Sequence, residues 1–227
     1  QSMQEAAQAV DVPIVTGDTK VVERGSGDGM FINTAGLGLI PEGVHISSTR
    51  ARPGDVVLIN GSIADHGIAV MSVREGLEFE TALTSDSAPV VDVVFSILDQ
   101  VGEQVHVLRD PTRGGVASAL NEIAAQGGVG IRLEETRIPV GEAVRGACEI
   151  LGLDPLYVAN EGKFLAIVGP EAAEAVLATM RDHPLGQQAA VIGEVVADHP
   201  GRLLLRSRIG GLRVVDMLSG EQLPRIC

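Results

Sequence analysis

Apolar and polar residues alternate along this chain in blocks that predict helices and strands in irregular succession. Met3, Ala6, Ala7 and Val10 recur at helical spacing, with no capping residue before the pattern. Val12 to Val15 is a short apolar run that predicts a strand, and Met30 to Ile40 predicts a second; Glu23 to Gly29 between them is a glycine-rich loop. Val56-Val57-Leu58-Ile59 is apolar without interruption, as in a strand buried on both faces. Gly61 to Gly67 then predicts a polar loop. Val90, Val94, Ile97 and Val101 mark the buried face of a helix whose wet face carries Asp92, Ser96 and Asp99. Val105 to Leu108 predicts a strand that runs into Arg109-Asp110-Pro111-Thr112-Arg113-Gly114-Gly115. A helix follows, with Val116, Ala119, Leu120 and Ile123 inward and Gly127-Gly128 as its stop.

Val129 to Leu133 predicts a strand and Pro139 to Leu151 a helix. Leu156 to Val168 predicts a strand interrupted by Asn160-Glu161-Gly162-Lys163, and Pro170 opens a further helix. Val191 to Val196 predicts a strand; Leu203 to Leu205 and Leu212 to Val215 form a hairpin across Gly210-Gly211. The succession is that of an α+β fold with a mixed sheet. The turn Ala51-Arg52-Pro53-Gly54 divides it into an N-terminal part, 1–52, and a larger domain, 53–217, followed by a tail, 218–227.

Composition narrows the function. The chain is 45% apolar but only 2% aromatic, so its core is aliphatic. A net charge of −13 repels a nucleic-acid backbone, and stacking aromatics are nearly absent, which excludes nucleic acid as a partner. No apolar run reaches the roughly 20 residues of a membrane helix. Two cysteines cannot form a disulfide framework, and a reducing cytoplasm suits them. Cys148 lies on the apolar helix face of Val144, Ala147 and Leu151 and reads as core. Cys227 is the final residue, after Pro224-Arg225-Ile226, and is either a frayed end or a thiol on a tail that can carry it into a pocket.

Of 17 basic residues only Lys20 and Lys163 are lysines, each beside a glycine and an acid, where a compact charge suits phosphate oxygens. Strand, Asp-Pro-Thr-Arg-Gly-Gly, then helix is a geometry for anions: glycines admit close approach and helix-start amides face negative charge. Asp110 could hold Mg²⁺ through one carboxylate oxygen and Arg113 could clamp a phosphate. The alternative is a turn with a capped helix. Gly17-Asp18-Thr19-Lys20 offers a second carboxylate, a hydroxyl and an ammonium at a strand end. Glu161 is a candidate general base, the alternative being an ion pair with Lys163. The five histidines have no ligand spacing; His66 beside Asp65 reads as structural.

Together Val15 to Val21, Asp65-His66-Gly67, Asp110 to Gly115, Asn160 to Lys163 and Pro224 to Cys227 resemble the HypE family of hydrogenase maturation factors. That family is a branch of the AIR synthase and selenophosphate synthetase superfamily. The resemblance covers essentially the whole chain, but roughly the first third of the family's length has no counterpart, so an N-terminally truncated form is expected. It implies an AIR synthase-like fold, with residues 1–52 the remnant of an ATP-binding, dimer-forming domain. It implies that Cys227 receives a carbamoyl group from HypF and dehydrates it to a thiocyanate at the expense of ATP. Cyanide then passes to iron on the HypC–HypD complex for the [NiFe] hydrogenase. By the same resemblance Glu161 is the base, Asp18 and Asp110 hold Mg²⁺, and Lys20, Lys163 and Arg113, with Thr19 and Gly114 beside them, hold the nucleotide phosphates. Other readings left open are an ATPase-inactive partner-binding module and an ATP-dependent synthase of the same superfamily acting on a free small molecule.

Overall fold

In a computed structural model, described over residues 1–27, 29–76 and 83–218, the chain divides into two compact units, 1–42 and 43–227. The first unit begins with α1 (Ser2–Ala9), as its spacing predicts. Neither expected strand forms: 12–15 and 30–40 carry no strand pairing among the described residues. A strand exists only through hydrogen bonds to a neighbour, and this unit supplies none. Its apolar side chains stay in solvent, Val15 at 86% and Leu39 at 99% exposure.

The second unit is built on one mixed sheet. Its strands are β1 (Val56–Ile59), β2 (Val105–Arg109), β3 (Gly130–Glu134), β4 (Leu165–Val168), β5 (Ala190–Val196), β6 (Leu203–Arg206) and β7 (Leu212–Val215). They lie in the order β2-β4-β1-β5-β3-β6-β7, with β3 and β6 parallel and every other pair antiparallel. The C-terminal ends of β1, β2, β3 and β6 therefore share one sheet edge with the start of β4. The turn at 51–54 lies inside this unit: Gly54 N–H donates to Val195 O at 2.9 Å. The outer side of β2 is covered by residues 47–50, where Ser47 N–H bonds His106 O at 3.0 Å and Arg50 Nη2 bonds Glu103 O at 3.0 Å. That removes an exposed strand edge.

Because side chains alternate along a strand, β1 feeds two cores. Val57 and Ile59 pack with Val116, Leu120 and Ile123 of α4 (Gly115–Gly127). Leu58 packs with Ile97 of α3 (Val91–Val101) and Val176 and Met180 of α6 (Ala173–Asp182). A smaller cluster joins α2 (Asp65–Glu75) to α5 (Glu142–Leu151) through Ala64, Ile68, Val144, Ala147, Cys148 and Val158. Cys148 is core, as its helix face predicts; burial, then the charge of Asp154, pushes its thiol up to about 11.

Two elements differ from the pattern-based expectation. The helix α2 begins at Asp65, inside the stretch that reads as a polar loop. The strand expected over 156–168 is confined to Leu165–Val168, so Glu161 stands on a loop and not in a strand. The reason is side-chain competition for the backbone. Asn60 Oδ1 accepts from Phe164 N–H at 2.8 Å and its Nδ2 donates to Gly162 O at 3.1 Å, taking groups a ladder would otherwise use.

Candidate active site

Three loops leave the shared sheet edge close together: 60–64 after β1, 110–114 after β2, and 158–164 before β4. One side chain holds them in register. Asn160 is fully buried; its Oδ1 accepts from Ala64 N–H at 2.8 Å, and its Nδ2 donates to Pro111 O at 2.9 Å and Val158 O at 3.1 Å. Asn60, equally buried, adds a bond to Leu185 O at 3.2 Å. With every polar atom of both amides paired, the loops carry no orphaned group at these positions.

The glycines of Arg113-Gly114-Gly115 are required by the backbone. Gly114 and Gly115 have φ of +73° and +60°, and a Cβ on Gly115 would lie 2.5 Å from Leu156 O and 2.6 Å from Val158 O. α4 therefore starts flush against the 156–158 turn, its first amides at the loop that carries Asp110 and Arg113. These two side chains are exposed, with no ion pair or hydrogen bond among the described residues. The cost of burying them unpaired, one reason for suspecting this loop from sequence, does not arise. Arg109 is paired with Glu122 at 2.8 Å. The chain's C-terminal stretch is led to the same loop: Asn121 Nδ2 bonds Val215 O at 2.9 Å, Tyr157 Oη bonds Asp216 O at 2.9 Å, and Leu218 Cδ2 lies 3.7 Å from where a Cβ on Gly114 would be.

Glu161 is half-buried and its carboxylate has no partner among the described residues. The alternative of a Glu161–Lys163 ion pair is not what forms: Lys163 Nζ lies 3.1 Å from Asp86 Oδ2. Asp65 accepts from Ser62 Oγ at 2.5 Å, and His66 Nδ1 meets Ser85 Oγ at 2.8 Å. Asp18, Thr19 and Lys20 lie together on the first unit, all exposed, with Thr19 N–H donating to Asp18 Oδ1 at 2.8 Å. Cys227 lies outside the described residues. The buried cluster of Asp55 and His106, paired at 2.7 Å with Arg52 Nη2 3.2 Å from the other ring nitrogen, sits at the opposite ends of β1 and β2 and is structural.

Sequence reasoning passed over Asn60, Asn160 as a strut, and Asp86; no local pattern marks them. Among the described residues no group of three or more His, Cys, Asp or Glu gathers as a metal cage. The free carboxylate of Asp110 suits a Mg²⁺ ion held mainly by phosphates and water, which uses one or two protein carboxylates. A cleft of about 420 Å³ lined by Ile63, Ile138, Leu153 and Leu156, with Arg145 and Arg213 among its polar residues, includes none of Asp18, Lys20, Asp110, Arg113, Glu161 and Lys163. No helix among the described residues is long and apolar enough to cross a membrane.

The chain belongs to the AIR synthase related family: the C-terminal domain of that family matches residues 52–206 and its N-terminal domain matches residues 1–40. A relative from Bradyrhizobium diazoefficiens, carbamoyl dehydratase HypE, is 57% identical over 227 residues, all of this chain and 66% of that protein. Inside the family the chain thus groups with the HypE proteins. A crystal structure of HypE in complex with ATP superposes with a TM-score of 0.94 at 51% identity, covering 100% of this chain and 68% of that one. HypE in a HypE–HypF complex superposes with a TM-score of 0.92 at 48% identity, covering 96% and 70%. The chain spans slightly less than two thirds of the length of the curated relatives it matches.

Proposed function

We propose that this chain is the greater part of an ATP-dependent carbamoyl dehydratase of [NiFe] hydrogenase maturation, working in the cytoplasm. The observation that carries the reading is where the C-terminal stretch goes. Leu218 lies against Gly114, in the loop of Asp110 and Arg113, which Asn160 ties to the loop of Glu161. The nine residues that end in Cys227 could span at most about 30 Å from there, enough for the thiol to reach the site and a partner in turn.

The substrate is an S-carbamoyl group on Cys227, delivered by HypF. Its carbonyl oxygen is a poor leaving group; transfer of the γ-phosphoryl group of ATP to it makes it depart as phosphate. Two protons leave the nitrogen as the C≡N bond forms, and the Glu161 carboxylate, without a partner among the described residues, takes one. Catalysis of the phosphoryl step is positioning and charge stabilisation. Arg113 and the Gly114 amide ahead of α4 bind phosphate oxygens, the Gly115 N–H being taken by Thr112 O at 3.0 Å; Lys20 and Thr19 offer phosphate-binding groups on the first unit. Asp110 on the second unit would hold Mg²⁺, which neutralises phosphate charge when bound, and Asp18 is the candidate carboxylate for it on the first. The HypC–HypD complex accepts the cyanide, and the full-length protein acts as a homodimer. The test is intact mass of full-length protein carbamoylated on Cys227 and given ATP. Loss of one water is expected, absent in Glu161→Gln with ATP binding kept. Dehydration that persists in Cys227→Ala refutes the assignment of the thiol.

A further inference from the structure

The segment 83–90, between α2 and α3, has no regular structure, yet it presents one nearly buried carboxylate to the glutamate loop. The side chain of Asp86 is 5% exposed and that of its partner Lys163 12%. Oδ1 of Asp86 accepts from the backbone N–H of Glu161 at 3.2 Å, while Oδ2 lies 3.1 Å from Lys163 Nζ. One carboxylate therefore meets the loop on both sides of Gly162, by a hydrogen bond at Glu161 and by an ion pair without hydrogen-bond geometry at Lys163. The backbones are close as well: a Cβ on Gly162 would collide with Asp86 O, and Asn60 Nδ2 holds Gly162 O from the other direction. The Lys163 stem runs over Gly61, where a Cβ would meet Cε at 3.1 Å. Next to Asp86, Ser85 Oγ is held by His66.

Lys163 stands two residues from Glu161, and an ammonium so near a carboxylate would pair with it if nothing else claimed the charge. Asp86 claims it. We propose that Asp86 is a positioning residue of this site: it neutralises Lys163, so that the Glu161 carboxylate stays unpaired, and it fixes the Glu161 backbone. The proposal rests on the reading of Glu161 as the proton acceptor. It also reassigns Lys163, whose ammonium is committed to Asp86 and not offered to nucleotide phosphates.

The substitution Asp86→Asn keeps an oxygen for the Glu161 N–H and removes the charge. In the full-length protein carbamoylated on its terminal thiol, it should slow single-turnover dehydration by about tenfold or more, with the Kd for ATP within about threefold of the parent. Adding Lys163→Met removes the stranded ammonium, so the double variant should run at least about fivefold faster than Asp86→Asn alone, again with ATP affinity within about threefold. A role confined to folding predicts no such recovery. A double variant no faster than Asp86→Asn overturns the proposal, as does a tenfold loss of ATP affinity on Lys163→Met, which also carries the test by itself should Asp86→Asn not fold. Dehydration at the parent rate in Glu161→Gln removes the base and the proposal with it. An inactive Glu161→Gln beside a double variant without recovery sinks the role of Asp86 alone.

Discussion

Replacing Asn160 tests the claim that one buried amide aligns the three site loops. Asn160→Ala deletes three side-chain hydrogen bonds and strands the Ala64 N–H; Pro111 O keeps a longer bond from Asn160 N–H at 3.3 Å. At about 1 kcal/mol net per bond, with a further penalty for the orphaned donor, the loss is about 3–5 kcal/mol. Asn160→Asp has nearly the same shape and separates hydrogen bonding from packing. One oxygen can still accept from Ala64 N–H, but the other faces two carbonyl oxygens where the amide donated. Burial and those carbonyls must raise the new carboxyl's folded pKa above the roughly 3.9 of an unfolded aspartate. A raised folded value means that stability is fully present below the unfolded pKa and is lost as pH rises through the folded one. The aspartate variant should therefore lose stability relative to the parent from about pH 4 toward neutrality, while the alanine variant keeps a constant deficit. Urea unfolding followed by far-ultraviolet circular dichroism at pH 5 and 7.5 reads both, since the chain has one Tyr and no Trp to report by fluorescence. A pH-independent aspartate deficit, or an alanine cost below about 1 kcal/mol, would refute the reasoning.

Gly115→Ala forces a side chain into left-handed backbone and against fixed backbone atoms at 156–158, so a loss of about 2–4 kcal/mol in urea unfolding is expected. Asp110→Asn and Arg113→Ala, both exposed and without partners among the described residues, should each shift unfolding by no more than about 0.5 kcal/mol while weakening ATP binding by calorimetry at least about tenfold. Cys148, buried with its thiol pushed up to about 11, should resist iodoacetamide at pH 8 in the folded chain and react on unfolding, as read by peptide mass mapping. For this raised acid the stabilisation is complete below the unfolded thiol pKa and fades as pH climbs through 11.

The parts of the fold legible in the sequence are those whose burial has a local period. The unbroken run 56–59, the inward face Val116, Ala119, Leu120 and Ile123 of α4, and the hairpin of β6 with β7 all appear where spacing places them. The glycine pair at 114–115 was legible too, because it falls between a predicted strand and a predicted helix, where the backbone must approach closely. What stayed hidden depends on partners far along the chain. Asn160 reaches Ala64 across 96 positions, Asn60 reaches Gly162 across 102, and Asp86 reaches Glu161 across 75. A polar residue with remote partners looks, in sequence, like any loop residue. The overlong strand at 156–168 is the same failure from the other side: its apolar pattern is genuine, but Asn60 takes its hydrogen bonds.

This separation has a chemical meaning. The side chains with every polar group engaged, Asn60 and Asn160, touch only protein, and their work is to hold backbone. The ionisable side chains that they and α4 present, Asp110, Arg113 and Glu161, have no partners among the described residues. Had the unpaired groups been buried, the fold would bear a desolvation cost of several kcal/mol for each. Set at the sheet edge on loops fixed by neutral amides, they cost little and are free to meet a charged ligand. A site of this design gains its precision from buried struts, the neutral amides of Asn60 and Asn160 and the nearly buried Asp86–Lys163 pair, so its geometry should survive changes of salt that would loosen one held by surface ion pairs.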